Sequence, residues 1–105
     1  MLKVMVQKVG KRELLCPVVF CDFCGERIEY AAEGAYEYKR EDASRPEGAE
    51  VKFVHKKCCR MFEAAHGECV AWYWDELQVF PVFLGNNLAL DWECAHERAK
   101  LAASL

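Results

Sequence analysis

The stretch FCDFCGERI, at residues 20–28, decides how this chain of 105 residues is expected to fold. Its two cysteines stand two residues apart with a glycine directly after, so the chain can turn tightly and bring both Sγ atoms to one point. Thirty residues later comes VHKKCC, in which His55 and Cys58 repeat the spacing. Cys21, Cys24, His55 and Cys58 are therefore predicted to hold one structural Zn²⁺ in a Cys₃His tetrahedron.

The pattern of apolar residues predicts an α+β fold around this motif. Alternation indicates strands at residues 2–9, 14–20, 35–41, 51–54 and 69–74. Residues 42–50 read as a polar loop. Helical spacing indicates helices at residues 55–68, 75–84 and 88–104. We expect one domain over residues 1–105, with a small antiparallel sheet, a zinc-binding core at 19–66 and a C-terminal helical segment at 75–105.

The sequence also predicts the start of one helix and the apolar face of another. The helix at 75–84 would begin at Asp75, in a capping box with Gln78, which leaves Pro81 awkwardly in its interior. The last helix would gather an apolar face of Leu88, Trp92, Ala95, Ala99 and Ala102.

A zinc knuckle, then a hairpin, then a helix whose first turn supplies the second ligand pair resembles a treble-clef zinc finger. The ligand order C-x2-C…H-x2-C is similar to the first module of LIM domains. The resemblance covers residues 19–66, and it departs from LIM domains in its long spacing and in the lack of a second C-x2-C unit. It implies a scaffold that binds partners, without identifying them.

Alternative ligands remain open at the second pair. HGEC has the same spacing, so His66 and Cys69 compete with His55 and Cys58, and Cys59 could replace Cys58. We favour His55 and Cys58, because a treble clef needs its ligands at the junction of a strand with a helix.

Other roles for the cysteines and nearby carboxylates are less favoured. A redox C-x-x-C pair should open a helix after a parallel strand, and Cys21 and Cys24 are not in such a setting. Cys16 and Cys94 are expected to be small buried apolar residues. Glu26 and Glu29, which lie near the knuckle, are expected to be surface carboxylates. Four protein ligands leave no open metal position, and the sequence carries no nucleophile elbow or P-loop, so we expect no enzyme.

The composition excludes several classes of protein. Hydrophobic residues make up 53% and charged residues 30%, as in a globular chain, and no apolar run is long enough to span a membrane. The seven cysteines are an odd number, and the first residues do not resemble a secretory signal. We therefore expect reduced thiols and a cytoplasmic location.

Two surfaces are candidates for binding. One is basic and contains Lys52, His55, Lys56, Lys57 and Arg60, with Lys8, Lys11, Arg12 and Arg27 as further members. The other is aromatic and contains Trp72, Tyr73, Trp74, Phe80, Phe83 and Trp92. Each also has a simpler interpretation, a solvated helix face for the first and core packing for the second.

Three functions from different classes follow. We favour a zinc-stabilised binding or regulatory protein that acts through a protein partner or a homodimer. The alternatives are a nucleic-acid-binding zinc finger and a thiol redox or metal-handling protein. The net charge of −3 weighs against nucleic acid, because such proteins are usually basic.

Overall fold

The computed structural model describes residues 1–67 and 71–101. In these ranges the strands are β1 (Leu2–Val9), β2 (Arg12–Val19), β3 (Gly34–Lys39), β4 (Lys52–His55) and β5 (Trp72–Glu76). The α-helices are α1 (Arg40–Ala43), α2 (Cys59–Ala65), α3 (Phe80–Asn87) and α4 (Trp92–Ala99). Short 3₁₀ turns lie at Ala31–Glu33 and Lys56–Cys58. The predicted α+β class with antiparallel sheets and helices is confirmed.

β1 and β2 form a two-stranded antiparallel sheet of their own. The register runs from Leu2 opposite Val19 to Val9 opposite Arg12. Gly10, with φ of +62°, provides the left-handed residue in the turn between them. Pro17, which has no N–H to donate, is tolerated because β2 pairs on one side only.

The second sheet has the strand order β4-β3-β5, and all of its pairs are antiparallel. β3 is the central strand, so Ala35 is fully buried, as is Val54 of β4. Phe62 of α2 is 1% exposed and belongs to the same core. Cys21 and Cys58 also belong to this core, which places two of the four candidate metal ligands inside the packed part of the molecule.

The helix predicted at 75–84 begins later in the structure. Asp75 and Glu76 pair with β3 as the end of β5, so the predicted capping box with Gln78 is wrong. Pairing with a central strand satisfies these backbone groups, which outweighs the local capping signal. α3 starts at Phe80, and Pro81 then stands in the first turn, where a helix needs no N–H donor.

The last helix is shorter than predicted within the described residues. It begins at Trp92, after the Asp91 carboxylate accepts a hydrogen bond of 3.0 Å from the Cys94 N–H as an N-cap. Leu88 lies outside any helix, and Ala89 has a φ of +52°, which breaks the helical path before α4. The predicted end of this helix lies outside the described residues, and so does the first part of the strand predicted at 69–74.

The other predicted elements are present with shifted ends. The strand predicted at 35–41 ends two residues early, because Arg40 begins the single turn of α1, which ends at Ala43 in the predicted loop. The helix predicted at 55–68 is a 3₁₀ turn followed by α2. None of the helices in the described ranges has the length and apolar character that a membrane crossing needs.

Gly34, at the start of β3, marks a close approach between elements. A Cβ there would lie 2.6 Å from Leu77 Cδ2 and 3.0 Å from Ile28 Cγ2, both in the core. We expect Gly34→Ala to lower the free energy of unfolding by about 1–3 kcal/mol through overpacking. Urea titration measures this loss, which should shrink in a Leu77→Ala background because the nearest atom is then absent. An equal loss in both backgrounds would contradict the steric explanation.

Candidate metal centre

The first ligand pair sits on a tight turn. Phe20 and Arg27 form an isolated antiparallel bridge, and inside it the Cys21 N–H donates to the Glu26 carbonyl at 2.8 Å. The Gly25 N–H donates to the Cys21 carbonyl at 3.0 Å. Gly25 has a φ of +78°, which side chains rarely allow, so the glycine after the second cysteine is a requirement of the turn.

Asp22, between the two cysteines, ties this turn to the second ligand pair. Its N–H donates to the Phe53 carbonyl at 2.7 Å, and its carboxylate accepts from the Phe53 N–H at 2.8 Å. The knuckle is thereby fixed against β4, two residues before His55. The spacing of the cysteines does not indicate this role, although an aspartate in a tight turn is a known backbone acceptor.

The second pair comes from the end of β4 and the turn that follows it. His55 is the last residue of β4, and Cys58 is the last residue of the 3₁₀ turn that leads into α2. Both side chains are buried, as is Cys21, whereas Cys24 is exposed.

The four predicted ligands converge. One ligand atom from each of Cys21, Cys24, His55 and Cys58 lies within 4.8 Å of the others. Cys24 Sγ and His55 Nδ1 are 3.4 Å apart. Zinc–sulfur bonds of 2.3 Å in a tetrahedron place sulfur atoms about 3.8 Å apart, so the cluster has the size that such an ion needs. It could bind one metal ion.

Backbone N–H groups stabilise Cys21 as a thiolate. Burial alone would disfavour the charge, but Sγ accepts from the N–H groups of Cys24 at 3.5 Å, His55 at 3.4 Å and Phe23 at 3.4 Å. These three bonds outweigh burial and lower the pKa of Cys21 from 9.0 to about 6. Cys21 is thus a thiolate at neutral pH.

Cys58 behaves in the opposite way. Burial, together with the negative charges on Cys21 and Cys24, raises the pKa of its thiol to about 11. Three neighbouring thiolates cannot coexist at neutral pH without a positive charge between them. A bound cation supplies that charge, which is the electrostatic argument that the cluster suits a metal.

The His55 ring is oriented for ligation. Its Nε2 lies 3.2 Å from the Arg27 carbonyl oxygen. Because a carbonyl only accepts, Nε2 must carry the proton, and Nδ1 is left with a lone pair that faces Cys24. A hydrogen bond of this kind fixes the tautomer of metal-binding histidines.

The alternative ligands lie elsewhere. Cys59 is buried outside the four-residue cluster, and burial with the charges of Glu37 and Glu63 raises its pKa to about 12. His66 Nδ1 donates to the Phe62 carbonyl at 3.0 Å, and its ring stacks on Phe62. Cys69 lies outside the described residues.

The other two cysteines differ from their predicted burial. Cys94 is exposed, so that prediction is wrong, and Cys16 is half-buried. The reason for Cys94 is that α4 lies on the surface and buries none of its residues.

The predicted interaction residues divide among several surfaces. Lys56, Arg60 and Trp74 line a depression of about 590 Å³. Lys57 lines a second depression with Lys56 and His55. Tyr73 and Trp74 are 41% and 48% exposed.

Trp72 and Lys52 have contacts that make them less available. The Trp72 ring packs edge-on against Phe62, at 4.9 Å between centroids, so it is partly a core residue. Lys52 forms an ion pair with Glu50 at 3.0 Å.

Two acidic residues, Glu37 and Glu63, are buried, and the sequence did not predict their burial. Glu37 of β3 is fully buried, and neither of its carboxylate oxygens has a hydrogen-bond partner among the described residues. Burial, and then the charge of Glu63, raises the pKa of Glu37 to about 7. The one available signal was the alternation of β3, which puts Glu37 on the same face as the buried Ala35.

Comparisons with protein-family models, with curated proteins and with solved structures found no match for this chain.

Proposed function

We propose that this chain is a small binding protein whose fold depends on one structural zinc ion, in a site that resembles a treble clef. The single observation that carries the proposal is the convergence of Cys21, Cys24, His55 and Cys58 within 4.8 Å. Thiolate and imidazole donors in this number are the set that zinc prefers for structural sites.

A binding role fits the donor count better than catalysis. Catalytic zinc sites keep a position for water or substrate, whereas four protein donors complete the tetrahedron. The exposed aromatic residues Tyr73 and Trp74 offer contact area of the kind that protein interfaces favour. We place the binding role on protein partners for this reason.

The charge distribution weighs against nucleic acid as the partner. Lys56 forms an ion pair with Glu76 at 2.6 Å, and Lys52 forms one with Glu50 at 3.0 Å. Two of the four lysine and arginine residues at 52–60 are thereby compensated, which reduces their attraction for phosphates.

Metal analysis of protein purified without a metal-affinity tag tests the proposal. We expect one zinc per chain that survives dialysis against a mild chelator. The three zinc-bound thiols should be protected until the metal is removed, the buried Cys59 should react only after unfolding, and the exposed Cys94 should react readily. Cys94→Ser is the matched control, because this cysteine is exposed and outside the cluster. It should leave the zinc content unchanged and remove one reactive thiol.

A metal that mild chelation removes, with all seven thiols then reactive, would contradict a structural ion. That result would favour the metal-handling alternative, for which the exposed Cys24 would be the point of access.

A further inference from the structure

Exposed apolar side chains are concentrated in two segments of the described chain. Nineteen large hydrophobic residues are exposed there, of which seven lie at residues 1–15 and six at residues 82–92. The first segment is the hairpin of β1 and β2. The second covers α3 and the beginning of α4.

One face of the hairpin is apolar along most of its length. Cross-strand partners project to the same face. The pairs on this face, called here the hairpin face, are Leu2 with Val19, Val4 with Pro17 and Val6 with Leu15. Val4 is 68% exposed and Leu2 is 57% exposed. A two-stranded hairpin is marginally stable in water by itself, so a covered face would stabilise it.

The hairpin face continues into α3. Leu2, Pro17 and Val19 line an apolar groove of about 530 Å³ together with Phe80 and Leu84. The exposed large apolar residues of α3 and of the segment that leads into α4 are called here the helix patch, and Leu84 belongs to both this patch and the groove. The helix patch consists of Val82, Phe83, Leu84, Leu88, Leu90 and Trp92.

The exposed area of the chain is large for a monomer. Its accessible surface is 7804 Å², whereas a folded monomer of 12.1 kDa has roughly 6,000 Å². The radius of gyration is 15.7 Å, against about 13 Å for a compact chain of this length. The excess of roughly 1,800 Å² is in the range that one partner buries in a permanent dimer.

The hairpin as a whole and the segment of α3 and α4 carry opposite net charges. Residues 1–19 carry four basic side chains and one acidic side chain. Residues 80–99 carry three acidic side chains, Asp91, Glu93 and Glu97, and one basic side chain, Arg98. Two hairpins would therefore repel each other, whereas a hairpin and a helix patch would attract.

We propose that the occupant of these surfaces is a second copy of this chain, with the hairpin face of each copy packed on the helix patch of the other. A single two-fold axis generates both contacts, because the chain carries both halves of the interface. The groove joins the two halves in each copy, so the two contacts form one continuous interface. This proposal rests on the proposed function, since it names the partner of the binding role.

Sedimentation equilibrium of the zinc-loaded full chain tests the proposal. We expect the mass of a dimer at micromolar concentration, against a chain mass of 12.1 kDa. Val4→Asp should raise the dimer Kd at least about 50-fold, because it places a charge in an apolar interface. Met61→Asp is the matched control, because Met61 is a similarly exposed apolar residue on α2, outside both surfaces. The dimer Kd of this variant should equal that of the unchanged protein.

A charge exchange tests which surfaces meet. Lys8→Glu with Lys11→Glu should weaken the dimer roughly tenfold at low salt, and so should Glu93→Lys with Glu97→Lys. An equimolar mixture of these two double variants should form a heterodimer, because both of its hairpin-to-helix contacts join opposite charges, whereas both contacts in either variant alone join like charges. Asp91 is left unchanged because it caps α4.

Three results would overturn the proposal. The first is a monomer at all concentrations up to several hundred micromolar. The second is a dimer whose Kd is the same in the Val4→Asp variant as in the Met61→Asp variant. The third is that each double variant dimerises as well alone as in the mixture. Zinc content measured on the same samples separates the two proposals. A zinc-loaded monomer would overturn the dimer but leave the zinc-held binding protein intact.

Discussion

Replacing Cys24 with serine is expected to unfold the part of the chain around the knuckle. Structural zinc contributes roughly 10 kcal/mol or more of apparent binding free energy, which is as large as the whole stability of a typical small domain. The three-stranded sheet depends on the site, because β4 ends in one ligand and the turn after it ends in another. Circular dichroism and thermal melting, with zinc in excess, measure the loss.

Cys24 is the most informative ligand to replace. It is exposed, whereas the other three ligands are buried, so Cys24→Ser opens no cavity in the core. A large loss of stability therefore reports the missing metal bond and not missing packing. Cys94→Ser, which changes an exposed cysteine outside the cluster, is the control and should melt like the unchanged protein. A native spectrum and melting temperature for Cys24→Ser would show that zinc is not integral to the fold.

The buried Glu37 is expected to make stability fall as pH rises towards neutrality. Its pKa is about 7 in the folded chain against an ordinary value of 4.5, so the folded state holds a proton that the unfolded state has lost. The stabilisation is fully present below about pH 4.5, and it disappears as pH rises through about 7. The difference in pKa corresponds to about 3 kcal/mol.

Glu37→Gln isolates this effect, because an amide has nearly the same shape and does not titrate. The free energy of unfolding of Glu37→Gln, minus that of the unchanged protein, should increase by up to about 3 kcal/mol between pH 5 and pH 8. Urea titrations with saturating zinc measure the difference, and protonation of the zinc ligands affects both proteins alike. Glu47→Gln, at an exposed position, is the control for the chemical change itself. A flat difference for Glu37→Gln would mean that this carboxyl is ionised in the folded chain.

The hairpin of β1 and β2 shows which features of the fold an alternating pattern of apolar residues predicts and which it does not. Alternation correctly indicated the strands β1 and β2, since a period of two is a local property of the chain. It did not show that the hairpin stands as a sheet of its own with one apolar face exposed. Which sheet a strand joins depends on segments far away in the chain.

Three differences between the predicted and the observed structure have the same cause. Asp75 carries a good local signal for a helix start, yet it pairs with Tyr36 in the sheet. Glu37 looks like an ordinary surface residue in a strand, yet it is buried because β3 lies between β4 and β5. Cys94 is exposed because α4 buries none of its residues. In each case the packing between distant segments, or its absence, outweighs a local preference.

The metal-ligand cluster is the part that the sequence by itself determined. The spacing of Cys21 and Cys24, with Gly25 after them, defines a turn whose geometry depends on a few consecutive residues. The same spacing at His55 and Cys58 identified the second pair, and the structure brings all four together.

Only the tertiary structure decided which hydrogen bonds those ligands make and what surrounds them. The hydrogen bond of His55 to the Arg27 carbonyl and the N–H donors to Cys21 join residues that are distant in sequence. So do the burial of Glu37 and the apolar groove between the hairpin and α3. Short-range geometry is encoded by neighbouring residues, whereas burial, pKa and exposed faces arise when distant segments pack against one another.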